Sequence, residues 1–193
     1  MFTLETERLL LRKLVAADLD ELVALDADPA VMRYISDGRA TPRAEYASEL
    51  LPRMLAWPPD DPVGFYAAIH EGAWVGWVHL RPSIAGDDAL ELGFRLCRAA
   101  WGRGLATEGA RGLAGFAADQ LNSPWIDGCA RPDNLASIAV LRKCGLSYVD
   151  TRMHPRAPIE VAFYRAAPEA VVRGAIARST SRVRSQGSKP CRP

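Results

Sequence analysis

Leu90-Glu91-Leu92-Gly93-Phe94-Arg95-Leu96, then Cys97-Arg98-Ala99-Ala100, then Trp101-Gly102-Arg103-Gly104-Leu105-Ala106-Thr107-Glu108, is the stretch whose reading decides the fold. Its first seven residues alternate. Leu90, Leu92, Phe94 and Leu96 fall on one side and Glu91, Gly93 and Arg95 on the other, the period of a strand. From Leu105 to Gln120 the period lengthens, and Leu105, Gly109, Leu113, Phe116 and Ala117 share one face of a helix. A strand that feeds a helix through a tight turn directs free backbone N–H groups, and the positive end of the helix dipole, at one spot. That spot suits an anion, most often a phosphate. Gly102 and Gly104 can take positive φ and bring backbone close to a ligand with no Cβ in the way. Arg103 adds a charge that phosphate would pair with. The glycine spacing alone is equally compatible with a plain turn that binds nothing.

Outward from this stretch, 193 residues with 49% hydrophobic and 24% charged side chains describe a soluble globular chain able to bury a core. No run of 18 apolar residues suggests a membrane span. Met1 to Glu5 lacks the pattern of a signal peptide, so a cytoplasmic protein is expected. The four cysteines form no CxxC pair, so no metal is expected, and reduced thiols are. The net charge of +1 is uneven: residues 170–193 carry six basic residues and no acid, leaving −5 on residues 1–169. Two segments follow, a folded domain over 1–167 and a basic, flexible tail over 168–193. A basic tail can touch nucleic acid, but this one lacks aromatic interleaving, and a solvated tail is the plainer expectation.

Along the chain, Arg8 to Arg12 reads as a strand and Ala16 to Asp26 as a helix with Leu19, Leu22, Val23 and Leu25 inward. A short helical turn is expected over Val31 to Ile35. Thr41-Pro42 reads as an N-cap and first helical residue, with a stripe of Tyr46, Leu50, Met54 and Trp57 behind it. Val63 to His70, Trp74 to Leu80 and Leu90 to Leu96 form an antiparallel meander. After the central helix come a strand from Trp125 to Ala130 and a helix from Asn134 to Cys144 stopped by Gly145. Strands from Tyr148 to Arg152 and from Glu160 to Arg165 complete the order.

Three separated features give this chain a resemblance to the GNAT superfamily of acyl-CoA-dependent N-acyltransferases, and more narrowly to its RimJ/RimL-type branch. Glu5-Thr6-Glu7-Arg8-Leu9-Leu10-Leu11-Arg12 is similar to that branch's first strand. Leu90 to Phe94 with Trp101 to Ala110 resembles its acetyl-CoA segment. Asn134-Leu135-Ala136-Ser137 with Lys143-Cys144-Gly145-Leu146 resembles its later helix. The resemblance covers about residues 3–166. It implies an α+β fold with a mixed, mostly antiparallel central sheet flanked by helices. Departures stand at Trp101, where the family pattern opens with Gln or Arg, at Leu146, where Phe is usual, and at Leu141, where many relatives carry a tyrosine general acid.

The resemblance implies transfer of an acetyl group from acetyl-CoA to an amine acceptor, a protein N-terminus or a small molecule, by direct attack in a ternary complex. The N–H groups of Gly102, Arg103, Gly104, Leu105, Ala106 and Thr107, with Trp101 ahead of them, would hold the pyrophosphate. Phe94 and Leu96 would offer backbone to the pantetheine arm. Glu91 is the candidate base, directly or through water, or else a structural carboxylate paired with Arg95 or a loop N–H. Ser137 would donate to the leaving sulfur or bind the cofactor, or is simply a first-turn polar residue. Asn134 would bind cofactor as well as cap its helix, or only cap it. His79 is weighed as a base against a hydrogen-bonded structural histidine. Tyr34, Trp57 and Phe65 are expected to line an acceptor cleft. Two rivals stay open: a non-catalytic acyl-CoA sensor, and a dinucleotide-binding oxidoreductase suggested by Gly102-x-Gly104. Homodimerisation is open; no membrane or nucleic-acid partner is expected.

Overall fold

A computed structural model describes residues 1–155 and 157–174. One sheet of eight strands organises them, in the order β1-β2-β3-β4-β5-β6-β8-β7. The strands are β1 (Thr3–Glu5), β2 (Leu9–Lys13), β3 (Gly64–His70), β4 (Ala73–Pro82), β5 (Leu90–Leu96), β6 (Ile126–Ala130), β7 (Ser147–Met153) and β8 (Glu160–Ala166). All neighbours are antiparallel except β5 and β6. The alternation in β5 sorts its side chains as the sequence requires. Leu92, Phe94 and Leu96 join Val78, Leu80, Leu9 and Leu11 in a core under α5 (Leu105–Gln120) and α6 (Leu135–Lys143). On the opposite face Trp77, Ala67 and Phe65 pack with Leu22 and Leu25 of α1 (Leu19–Asp26), Val31 of α2 (Pro29–Met32), Leu51 of α4 (Leu51–Met54) and Tyr46 from the turn between α4 and the short α3 (Arg43–Glu45) before it.

The parallel pair is short. Only Leu90 with Ile126 and Glu91 with Asp127 are in register, supported by Leu90 N donating to Trp125 O at 3.1 Å. Beyond Glu91 the two strands part, while β5 stays paired with β4 as far as Leu96. A fork therefore opens in the middle of the sheet. This is not the parallel sheet that a dinucleotide-binding oxidoreductase needs.

One expectation needs correction. The helix expected from Thr41 starts at Arg43 with Pro42 in the cap, and it is not continuous. A π turn over Tyr46–Leu50 interrupts it, with Leu51 N donating to Tyr46 O five residues back. Pro52, which has no N–H to give the preceding turn, sits inside α4 and accounts for the widening. Past β8 the described chain packs back on the domain: Val171 is buried in the main core, Val172 N donates to Cys144 O, and Arg173 pairs with Asp119 of α5. The rest of the expected tail, 175–193, lies outside the described residues. Cys129 and Cys144 are free thiols.

Candidate active site

The turn ahead of α5 has the geometry its glycines suggest. Gly102 and Gly104 sit at φ 71° and 78°, and a Cβ on Gly102 would meet nothing within 4 Å. Trp101 N donates to Arg98 O, and the next amide engaged by protein backbone is Glu108 N, on Gly104 O. Among the described residues the amides of Gly102, Arg103, Gly104, Leu105, Ala106 and Thr107 have no protein acceptor, and no side chain caps the helix. Leu105 is buried and seats the helix; Ala106 and Thr107 are half-buried. Trp101, half-exposed, donates from Nε1 to Leu96 O at 2.8 Å, which ties the turn to the end of β5. Six unengaged donors at the head of a sixteen-residue helix fit a diphosphate.

Side chains from the opposite edge of the sheet brace the turn. Glu108 accepts from Thr6 Oγ1 at 2.6 Å, Arg8 N at 2.6 Å and Arg8 Nε at 2.7 Å. Partial burial works to raise the pKa of Glu108, but the bonds from Thr6 and Arg8 outweigh it and hold the carboxyl below its usual range. Arg8 Nη1 also donates to Arg103 O at 2.9 Å, so a second guanidinium stands beside the turn. Sequence reasoning did not single out Arg8, which lies about a hundred residues away along the chain. Arg103 donates to Nε2 of His70 at 2.8 Å rather than pointing unengaged into the turn. His70 Nδ1 lies 3.0 Å from Arg8 O, so Nδ1 carries a proton that it donates to that carbonyl.

Across the fork, the polar face of β4 and β5 is a ladder of three rungs: Arg81 with Glu91, His79 with Gly93, Trp77 with Arg95. Glu91 is buried, and its Oε1 accepts from Arg81 Nη2 at 2.6 Å and Nε at 3.1 Å. Burial alone would raise its pKa. The neighbouring His79 and the Arg81 guanidinium outweigh that and bring it down to about 2. Its partner is therefore Arg81, not Arg95. Arg95 crosses to Asp26 of α1 instead, at 2.6 Å. His79 Nε2 stands 3.5 Å from Glu91 Oε1, a long polar contact that favours the carboxylate but lacks the geometry of a formed hydrogen bond.

At the second helix, Asn134 Oδ1 accepts from Ser137 N at 3.1 Å, an N-cap bond. Ser137 is half-buried. Leu141 is 1% exposed and faces Gly128 of β6, where a Cβ would come within 2.6 Å of it, so this position supplies packing and no proton. A cleft of about 760 Å³ opens between the loop after α2 and the loop joining β7 to β8, lined by Met32, Asp37, Thr41, Glu45, Arg131 and Ile159 among others. Tyr34, Trp57 and Phe65 do not line it. Trp57 and Phe65 pack on each other at 5.7 Å, and Phe65 packs on Trp77 and His79.

A mixed sheet forked at its one parallel pair, with a glycine turn of unengaged amides heading the helix beside the fork, defines the GNAT class of fold. The family described as the acetyltransferase (GNAT) domain matches residues 8–147, and the chain belongs to it. It is 33% identical over 157 residues to the FsC-acetyl coenzyme A-N(2)-transacetylase of Aspergillus fumigatus, covering 77% of this chain and 66% of that protein, just under two thirds of its length. A GNAT-family acetyltransferase structure from Bacillus anthracis superposes with a TM-score of 0.73 at 20% identity, covering 88% of this chain and 99% of the other. AAC(6')-Ib in complex with ribostamycin and coenzyme A gives a TM-score of 0.73 at 19% identity, covering 85% and 96%. Among the described residues no helix is long and apolar enough to cross a membrane.

Proposed function

We propose that this protein transfers the acetyl group of acetyl-CoA to a primary amine by direct attack within a ternary complex. The observation that carries the reading is the run of unengaged amides from Gly102 to Thr107, set beside the point where β5 leaves β6. On this reading the turn holds the diphosphate, and the backbone of Phe94 to Leu96 faces the pantetheine arm. The thioester then lies in the fork near Gly93. Holding both reactants there supplies much of the rate without a covalent intermediate. An amine acceptor is supported by the relative named for N(2) acetyl transfer and by the neighbour bound to ribostamycin. The excess of acid over residues 1–169 favours a cationic acceptor. The RimJ/RimL-type motifs favour a protein α-amine, whose pKa near 8 leaves it easily deprotonated.

Glu91, held near 2 by its neighbours, is a weak base toward an ammonium and acts by its charge or through an intermediary. Asn134 serves as a cap, with Ser137 in the first turn behind it. The test is direct: coenzyme A binding by calorimetry, then thiol release from acetyl-CoA with a panel of N-terminal peptides, aminoglycosides and polyamines. Micromolar binding with amine-dependent thiol release supports the reading. Binding without thiol release by any amine points to a sensor, and no binding at all defeats the reading.

A further inference from the structure

The two buried histidines of this fold have opposite surroundings. His70, 6% exposed, has both ring nitrogens engaged, by Arg8 O and Arg103. His79, equally buried at 6%, has neither: Nδ1 and Nε2 are both without a hydrogen-bond partner among the described residues. A buried polar group left unpaired costs about 1–3 kcal/mol, so a native fold seldom keeps two on one ring without a use for them. Glu91 Oε2, Trp77 Nε1 and Arg95 Nε share the same ladder and are likewise buried and unpaired.

The ring is placed with care. It stacks on Trp77 at 5.6 Å with 16° between planes and meets the edge of Phe65 at 4.9 Å. Its other side lies over Gly93, where a Cβ would come within 2.4 Å of His79 Cε1; only glycine leaves room for it. Gly93 is two residues past Glu91, the last residue of β5 in register with β6. The imidazole thus overlies the first position on this face after the strands part, where the proposed thioester lies.

We propose that His79 takes the proton from the acceptor ammonium, with the Glu91–Arg81 pair and the Trp77 ring fixing its position. The inference rests on the acetyl-transfer reading above. The ammonium gives one proton to a neutral imidazole nitrogen, and the freed lone pair forms the C–N bond to the thioester carbon. As the C–S bond breaks, the second nitrogen proton passes to the leaving thiolate, and the imidazolium returns its proton to solvent. The charged groups facing the ring are Glu91, which favours the imidazolium, and Arg81 and Arg95, which oppose it. Burial, the largest influence, keeps the ring neutral and ready to accept.

The experiment uses the full chain with acetyl-CoA and the best amine from the panel. His79→Gln and His79→Asn should lower kcat by about 100-fold, within the usual range for a lost general base. The Kd for coenzyme A should stay within about twofold, with unchanged circular dichroism. The wild-type kcat profile at saturating amine should show an acid limb below the ordinary histidine value of 6.5, absent from both variants. Glu91→Gln should move that limb to lower pH, because the carboxylate favouring the imidazolium is gone. This last measurement keeps the test sharp if the His79 variants do not fold. A folded His79 variant with kcat within threefold of wild type, or a limb that Glu91→Gln leaves in place, overturns the assignment. A wild type that releases no thiol with any amine overturns the acetyl-transfer reading together with it.

Discussion

Arg95 Nη1 donates to Oδ1 of Asp26 at 2.6 Å, and this contact joins the forked strand to the helical layer over its polar face. Asp26 has no exposed surface; its Oδ2 also accepts from Thr41 Oγ1 at 2.6 Å and Tyr46 OH at 2.8 Å. Burial, then the Asp26 charge, push the Tyr46 hydroxyl well above its ordinary range, so it stays a donor throughout physiological pH. Arg95→Met leaves a buried carboxylate with two hydroxyls and no counter-charge. Stability should fall by about 3 kcal/mol, and Asp26→Asn added to Arg95→Met should recover part of it. Urea denaturation of the two single variants and the double gives the cycle; strict additivity would mean the pair is not coupled.

The conformation at Gly104 is a second point of attack. At φ 78° an L side chain is strained by about 1–2 kcal/mol, and a Cβ would stand 3.4 Å from Arg8 Nη2. Gly104→Val should weaken coenzyme A binding by tenfold or more while α5 itself persists. Calorimetry decides it, and unchanged affinity would argue that the diphosphate lies elsewhere.

Alkaline pH should stabilise the fold before it destabilises it. Lys13 is buried beside Tyr66, with its ammonium donating to Val63 O, and burial pulls its pKa from 10.5 down to about 8, against the pull of Asp61 and Asp60. Between those values the unfolded chain holds a proton the folded chain has lost, so stability rises with pH. Above 10 the sign reverses, because burial raises the pKa of both Tyr46 and Tyr66 in the fold and the unfolded chain loses their protons first. Thermal melts from pH 7 to 11 should pass through a maximum near 10, and Lys13→Met should remove the rising limb.

Acid should act on Glu91. Its carboxyl is held near 2 against an ordinary 4.5, so the stability it contributes is complete above pH 4.5 and lost as pH falls toward 2. Arg81→Met should shift this acid transition to higher pH, followed by tryptophan fluorescence. An unmoved transition would show that Arg81 is not what lowers the carboxyl.

Asn134 separates capping from cofactor binding. As a cap alone, Asn134→Ala costs about 1 kcal/mol of stability and leaves coenzyme A affinity unchanged. Paired melts and calorimetry distinguish the roles; a fall in affinity beyond about threefold would add cofactor contact to the bond that Ser137 N makes.

What the sequence by itself determined is what depends on neighbours a few residues apart. The two-residue period of Leu90–Leu96, the helical period from Leu105, the positive φ of Gly102 and Gly104 and the Asn134 cap are set within one strand, turn or helix, where side-chain size and the covalent chain suffice. The π turn ahead of Pro52 was local as well, since a proline inside a helix announces a missing donor. Tertiary structure alone decided the partners. Glu91 meets Arg81 rather than Arg95 because the register of β4 on β5 sets them opposite each other. Arg8 reaches Arg103, and Val171 enters the core, because the sheet and the helix layer bring distant segments together. His79 and His70 are alike in residue type and burial, yet one is satisfied and one is not. That difference arises from which distant segments reach each ring, Arg8 and Arg103 at His70 and neither at His79, a property of the tertiary fold that no short window of sequence carries.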